Sequence, residues 1–218
     1  QSLAVMAACA VVGIIIGVVS LTSFGTVMTS SIVTLGAGSL FFTLILTMLA
    51  SMVLGMGLPS IPAYIITATM AAPALAGFDI PILSAHMFVF YFGIFANITP
   101  PVCLAAFAGA GISGGDPMKT GFLSLKLALA GFIVPFMFIY NPTMLMIDPT
   151  GLAVTAKDFP LPPIVDIITV VVTSVTGVIA LSSALEGYFR GGMNTVTRVI
   201  LAIGALLLIY PEITTGIA

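Results

Sequence analysis

The sequence alternates between long apolar stretches and short polar turns. Several stretches reach the roughly 20 residues that a helix needs to cross the hydrocarbon core of a bilayer. Four of them predict uninterrupted membrane spans: Leu3–Phe24, Thr120–Tyr140, Ile164–Tyr188 and Met193–Tyr210. The Ser-, Thr- and Gly-rich segment Gly25–Ala37 is expected to be a connector at the membrane interface. The polar, proline-rich segment Asn141–Pro163 is expected to be an aqueous loop.

One further apolar stretch, Ser84–Ile112, contains two consecutive prolines near its centre. Each proline removes a backbone donor and clashes with the carbonyl one turn back, so a continuous helix is excluded. We expect the helix to open at Asn97–Thr99 and to restart at Pro100. Unwound backbone inside a membrane is tolerated only against protein, water or a bound ion. This break therefore marks a candidate site.

Another stretch, Gly38–Gly77, is interrupted by glycines and prolines at Gly55–Pro62. Its halves, Ser39–Leu54 and Ser60–Ala76, are slightly short for full spans, and the linker is too short and too uncharged for an aqueous loop. The pattern predicts a re-entrant helical hairpin with its tip inside the membrane. Two short full spans joined by a tight turn are the alternative. Two interrupted segments in one chain indicate the binding site of a secondary transporter.

The composition also indicates an integral membrane protein. Of the 218 residues, 60% are hydrophobic and 6% are charged, and the mean hydropathy is +1.31. An ordinary soluble domain is about 25% charged, so a water-soluble fold is excluded, and five Lys and Arg residues make no basic patch for nucleic acid. The predicted fold is an all-α integral membrane protein, a transmembrane helix bundle with one re-entrant hairpin and one discontinuous helix. Its predicted regions are a first span with its connector, a transport element and three C-terminal spans, at residues 1–37, 38–118 and 119–218.

The first residues, Gln1-Ser2-Leu3, enter an apolar stretch directly, without an initiator methionine or a charged leader. We therefore expect the sequence to be a piece of a longer polypeptide. The two cysteines, Cys9 and Cys103, both lie in apolar stretches. Neither a disulfide nor a metal site is expected from them.

The positions of the cations predict an orientation. Lys119 and Lys126 lie at the start of the second uninterrupted span, and Arg190 and Arg198 lie two crossings later, on the same side. Four of the five cations are therefore expected on the cytoplasmic face. The proline-rich loop would then be external, and the hairpin would have both ends outside and its tip pointing inward.

Both breaks offer the same chemistry. Ser60 is expected to cap the second half-helix of the hairpin, with Pro62 in its first turn, and Thr99 is expected to cap the half-helix begun by Pro100 and Pro101. Each break then combines free carbonyls, free amides and a hydroxyl, with no Asp or Glu nearby. Carbonyl and hydroxyl oxygens suit a small cation such as Na⁺, whereas amides at a helix N-terminus suit an anion. The alternative is that the prolines only kink, the glycines only pack and the hydroxyls only cap.

The other polar and aromatic residues are expected to have structural roles. We expect an interfacial histidine at His86, a helix-terminal carboxylate at Asp166, and an ion pair between Glu186 and Arg190, one helical turn apart. Three aromatic residues are expected to pack in the core, with a substrate cavity as the alternative: Tyr64, Tyr91 and Phe95.

Four motifs carry a resemblance to a known family: Gly55-Met56-Gly57-Leu58-Pro59-Ser60, His86-Met87-Phe88-Val89-Phe90-Tyr91-Phe92-Gly93, Asn97-Ile98-Thr99-Pro100-Pro101-Val102 and Asp116-Pro117-Met118-Lys119-Thr120-Gly121. With them the chain resembles the C-terminal part of the large membrane subunit of tripartite ATP-independent periplasmic (TRAP) transporters. It is most similar to the TAXI branch, in which the small and large subunits are fused. The resemblance covers most of Leu3–Asp148.

This resemblance implies Na⁺-coupled uptake of an organic anion by an elevator mechanism in the bacterial inner membrane. A periplasmic solute-binding protein would deliver the anion, and the remaining N-terminal part of the subunit and the lipid bilayer would be further partners. Such subunits resemble the ion-transporter superfamily, in which two inverted repeats each have one hairpin and one broken helix. This chain would supply the outward-opening hairpin and its broken helix. No cofactor is expected, and Na⁺ would be the coupling ion.

The resemblance also implies site residues at the two breaks. The ion-binding positions are Gly55, Gly57, Pro59, Ser60, Asn97, Ile98, Thr99 and Pro100. The substrate-binding positions are Ser60, Asn97, Thr99 and Pro101.

Two other classes compete with a transporter. A structural membrane subunit that packs helices and binds nothing is the main alternative. An intramembrane enzyme is disfavoured, because no Ser/His or paired-Asp arrangement lies at membrane depth and the one histidine lies outside the depth of the breaks.

Overall fold

The computed structural model describes residues 2–147 and 161–209, and these residues form helices joined by turns, with no strand among them. This confirms the predicted all-helical membrane class. The α-helices of the first part of the chain are α1 Ser2–Leu21, α2 Phe24–Leu35, α3 Leu40–Gly55, α4 Ser60–Met70, α5 Ile82–Phe95, α6 Leu104–Ser113 and α7 Pro117–Ala128. The later ones are α8 Val134–Tyr140, α9 Ile164–Glu186 and α10 Thr195–Ile209.

Helices α3 and α4 are the two arms of the predicted hairpin, and their bounds agree with the sequence pattern to within one residue at the tip. The second arm does not continue as an α-helix to Ala76. It changes at Ala71 into the 3₁₀ helix Ala72–Phe78, and the two segments meet at an angle of 46°. Pro73 explains the change, because it lacks the N–H that an α-helix would need there. Both arms pack against α5.

Helices α5 and α6 are the halves of the predicted broken helix. A 3₁₀ turn, Ala96–Ile98, follows α5, and the next α-helix begins at Leu104. The break is confirmed, but the predicted restart at Pro100 is wrong by four residues. Thr99 and Pro100 each precede a proline, which disfavours the helical region for both, and Thr99 is accordingly extended (φ −112°, ψ 128°). The Pro100–Pro101 peptide bond is cis.

The segment expected to be a connector, Gly25–Ala37, is largely the helix α2. Two of its hydroxyl side chains bond a carbonyl of the helix itself: Ser30 and Ser31 both donate to Val27 O, at 2.9 and 2.7 Å. A Ser- and Thr-rich segment can therefore remain helical, because its polar groups are satisfied locally. Helix α2 packs on α3 and α4.

The chain divides into two compact units, residues 1–126 and 127–218. In the second unit α9 and α10 pack closely, since a Cβ added at Gly177 would lie 3.3 Å from the Ala205 carbonyl oxygen. Arg198 of α10 donates from Nε to Ala184 O at 2.9 Å and from Nη2 to Leu185 O at 2.8 Å. These bonds satisfy carbonyls that the end of α9 leaves without helical partners.

Two expectations in this unit have different outcomes. Asp166 lies in the first turn of α9, as predicted. Glu186 and Arg190 are not one helical turn apart, because α9 ends at Glu186 and Gly187 turns into the left-handed region at φ +76°. The ion pair between them stays a prediction. Arg190 lies beyond the helix, itself at φ +56°. Most of the predicted loop Asn141–Pro163, with Asp148, Lys157 and Asp158, lies outside the described residues.

Among the described residues two continuous helical segments are long and apolar enough to cross a membrane, Pro117–Tyr140 and Ile164–Glu186. Two bent helix pairs bring the number to as many as four if each pair is counted as one span. The surface carries many large apolar side chains, with Leu21 88% and Ile112 91% exposed. Contiguous exposed apolar surface of this kind suits lipid or partner helices. The chain is a multi-pass membrane protein.

Candidate functional site

The hairpin tip is a tight turn that depends on one glycine. Met56 has φ −58° and ψ 124°, Gly57 has φ +74°, and the amide of Leu58 donates to Gly55 O at 3.3 Å. These values describe a type II turn, which requires a positive φ at its third residue. Gly57 fills that position because it has no Cβ to oppose it. The turn leaves Gly57 exposed and Gly55 buried.

The hairpin and the broken helix cross backbone to backbone at two glycines. A Cβ added at Gly55 would overlap the carbonyl oxygen of Gly93 and lie 2.7 Å from its Cα. On its other side, Gly93 faces α4, where an added Cβ would lie 3.3 Å from Thr67 Cγ2. The end of α3 can therefore approach α5 only because neither residue carries a side chain. This crossing holds the tip beside the break.

Ser60 does not cap the second arm of the hairpin. The N-cap residue is Pro59, Ser60 is the first residue of α4, and no side-chain capping bond is formed. Ser60 is exposed, whereas Pro62 is buried in the first turn, where it was expected. The amide of Ala63 closes the first turn by donating to Pro59 O at 3.0 Å. The extended backbone of Pro59, at ψ 159°, sets the start of the helix one residue before Ser60.

Thr99 caps the helix before it, not the helix after it. Its hydroxyl donates to Phe95 O at 2.7 Å, which satisfies a carbonyl at the C-terminal end of α5. The side chain is 7% exposed. The N-cap of α6 is Cys103, in the left-handed region at φ +39°. Since Thr99 donates its only proton to Phe95, its oxygen lone pairs stay available as acceptors.

One side chain joins the two interruptions directly. Asn97 Nδ2 donates to the backbone oxygen of Leu58 at 3.3 Å, across 39 residues of sequence. Nearby, a Cβ added at Gly57 would lie 3.9 Å from Val102 Cγ1. The tip and the break, predicted separately from the sequence, therefore form one region of the molecule. Within it Asn97, Ile98 and Pro100 are partly exposed, and the remaining predicted positions Pro59 and Pro101 are exposed.

A third element, α7, reaches the break and was missed by the sequence pattern. Ser124 Oγ lies 3.0 Å from Ile98 O and 2.8 Å from the oxygen of Gly121 in its own helix. Gly121 is buried, and a Cβ there would lie 3.0 Å from Cys103 Sγ. The available signal was a serine three residues after a glycine, in a helix that also carries Lys119 and Lys126.

The chemistry of the region is that of neutral oxygens and backbone dipoles. Among the described residues no group of three or more His, Cys, Asp and Glu residues lies together, so the donors are carbonyl and hydroxyl oxygens. The C-terminal end of α5 points its carbonyls at the break, and the N-termini of α4 and α6 offer amides. Oxygen donors of this kind fit a hard cation, and free amides fit an anion.

The nearby aromatic residues pack on one another. Tyr91 stacks on Phe95 with ring centroids 4.5 Å apart, and Tyr64 meets Phe90 edge to face at 5.3 Å. Tyr64 Oη lies 3.1 Å from His86 Nδ1, a bond that ties α4 to the start of α5. These contacts accord with the expected packing role.

Comparison with known proteins identifies a family to which the chain is similar. Residues 1–150 match the family model described as the tripartite ATP-independent periplasmic transporter, DctM component. No curated protein and no solved structure matches the chain significantly. The matched residues include the whole hairpin, the break and α7. The chain therefore belongs to the DctM family of tripartite ATP-independent periplasmic transporters.

Proposed function

We propose that this chain is part of the permease of a Na⁺-coupled secondary transporter that imports an organic anion of the carboxylate type. Family membership makes it a TRAP transporter permease subunit, which is a transport protein and not an enzyme. The family also implies a periplasmic binding protein as partner. Delivery of the substrate by that protein, Na⁺ coupling and the substrate class are the proposed steps.

The observation that carries the proposal is the contact between the hairpin tip and the break. The bond from Asn97 to Leu58 O brings together two interruptions of the α-helices, the turn at the hairpin tip and the 3₁₀ turn that opens the break, in a chain that spans a membrane. Non-helical backbone at membrane depth is tolerated where it lines a cavity or binding site. Carbonyl oxygens around Gly55 and Ile98, with the hydroxyl oxygen of Thr99, would hold Na⁺.

Coupling follows from charge. No acidic residue stands in the tip or the break, so a bound Na⁺ would be the main local charge. It would favour an anion beside it, at the amides that begin α4 and α6. Each ligand would then raise the affinity for the other by the same factor. Ser60 and Pro101, both exposed, would border the anion.

The finer identity of the transporter is also part of the proposal. The four sequence motifs support the C-terminal part of a fused, TAXI-type subunit in the bacterial inner membrane, working by an elevator movement. The uncharged type II turn at Gly55–Leu58 supports a re-entrant hairpin, since its contact with Asn97 keeps it against protein. In this arrangement the hairpin and broken helix move together as the transport element.

The test uses the complete transporter in detergent. Its thermal unfolding is followed while NaCl replaces KCl at constant ionic strength, which needs no knowledge of the substrate. A ligand that binds only the folded state raises the midpoint as its concentration rises. The proposal expects saturable stabilisation by Na⁺ and none by K⁺. Equal midpoints in the two salts would refute the Na⁺ site.

A further inference from the structure

Helix α7 lies against the break through two residues, one turn apart. Gly121 is buried against Cys103, the N-cap residue of α6, and Ser124 lies within hydrogen-bond distance of Ile98 O at 3.0 Å. The first contact sets how closely the helix approaches. The second reaches a carbonyl in the unwound segment itself. Neither Gly121 nor Ser124 lies in the tip or the break, which hold the candidate binding residues.

The Ser124 hydroxyl has one proton and two carbonyls within reach. Ile98 O is 3.0 Å away and Gly121 O, in the same helix, is 2.8 Å away. A serine in a helix ordinarily bonds a carbonyl of its own previous turn, and Thr120 of α7 does so with Asp116 O at 2.8 Å. Ser124 differs because its hydroxyl also faces the end of the 3₁₀ turn Ala96–Ile98.

We infer that Ser124 is a positioning residue for the cation site: its hydroxyl fixes the direction of the Ile98 carbonyl. The inference rests on the proposed Na⁺ function. A carbonyl oxygen has two lone pairs, so a bond from Ser124 to one of them leaves the other for a cation. Ile98 ends the 3₁₀ turn, and Pro101, three residues further on, has no N–H to bond the Ile98 carbonyl. A ligand group that is held beforehand binds more tightly.

Removing the hydroxyl lets the Ile98 carbonyl rotate and weakens the site. Because a neutral hydrogen bond contributes modestly, Ser124→Ala should raise the half-saturating Na⁺ concentration by about three- to tenfold. Ser124→Thr keeps a hydroxyl and should stay close to the parent protein. Thr120→Val removes a hydroxyl of α7 that bonds the oxygen of Asp116, the residue just before the helix, and it is the matched control.

A second variant disturbs the bond between Ser124 and Ile98 O by changing how closely α7 packs against the break. Gly121→Ala retains the Ser124 hydroxyl but adds a methyl 3.0 Å from Cys103 Sγ and 3.5 Å from Phe107. This contact is tighter than ordinary packing, so α7 should shift away from the break. The half-saturating Na⁺ concentration should rise as in Ser124→Ala. Adding Cys103→Ala removes the sulfur and should restore the parental value.

The experiment measures two quantities on the complete transporter: the Na⁺ concentration for half-maximal thermal stabilisation in detergent, and the same quantity for uptake with its binding protein in proteoliposomes. A merely structural serine would lower the maximal rate or the midpoint without Na⁺, and would leave half-saturation unchanged. If the parent protein responds to Na⁺ and Ser124→Ala has the same half-saturating Na⁺ concentration, the inference about Ser124 is overturned but the proposed function is not. A parent that ignores Na⁺ overturns the proposed function as well. If Ser124→Ala does not fold, Gly121→Ala decides.

Discussion

At the scale of single residues, the structure assigns roles that differ from those the sequence predicts. The sequence predicts that Thr99 and Ser60 each cap the following helix, because hydroxyl side chains are common at helix N-caps. Thr99 instead caps α5, and Ser60 forms no cap. Besides the two prolines, the left-handed turn at Cys103, φ +39°, delays the start of α6. A cysteine gives no local signal for that conformation, so sequence identified the residues and not their partners.

Thr99→Ala tests the importance of that capping hydroxyl. The change removes a buried bond to Phe95 O and an oxygen of the candidate site, so we expect the half-saturating Na⁺ concentration to rise about fivefold. Titration of thermal stability with Na⁺ measures it. Thr69→Ala is the control, because Thr69 also bonds the carbonyl four residues back, at 3.0 Å, but is exposed away from the break. If Thr99→Ala has the same half-saturating Na⁺ concentration as the parent protein, Thr99 is only a structural cap of α5.

Gly57→Ala tests the type II turn at the hairpin tip. A residue with a Cβ in the left-handed region costs roughly 1–2 kcal/mol, and Gly57 has φ +74°. We expect a lower free energy of unfolding, measured by thermal denaturation in detergent. Gly77→Ala is the matched control, since an added Cβ there meets nothing within 4 Å. Equal stability of the two variants would mean that the turn is not formed.

At the scale of elements, the sequence predicted the helices and both interruptions well, because apolar runs and prolines act locally. It missed α2, in which Ser30 and Ser31 bond a carbonyl of the helix itself, and it missed the contact of α7 with the break. Both depend on what packs against a segment. The crossing of α3 and α5 at Gly55 and Gly93 could not be predicted from the sequence either. Glycine is so common in membrane helices that these two residues do not by themselves indicate a contact.

Gly55→Ala tests that crossing. The added methyl would overlap Gly93 O, and backbone cannot yield as a flexible side chain can. We expect a loss of about 1–3 kcal/mol, the usual effect of overpacking. Gly111→Ala is the control, because an added Cβ at that position of α6 meets nothing within 4 Å. Thermal denaturation of both variants compares them. A stable Gly55→Ala protein would show that α3 and α5 are further apart.

At the scale of the whole molecule, the family is established and the transport mechanism is proposed. Membership of the DctM family establishes a transport subunit, and composition had already required a membrane protein. The orientation from Lys119, Lys126, Arg190 and Arg198 stays a prediction. The substrate lies beyond the sequence, because amides at helix N-termini accept many anions. Selectivity is expected partly in the binding protein.

The central claim is that the tip and the break together hold a Na⁺ that drives uptake. The most direct measurement is uptake of radiolabelled carboxylates by proteoliposomes of the complete transporter with its binding protein, under an inward Na⁺ gradient or a matched K⁺ gradient. The account predicts accumulation with Na⁺ that collapses when a Na⁺ ionophore is added. Equal uptake under both gradients would contradict it.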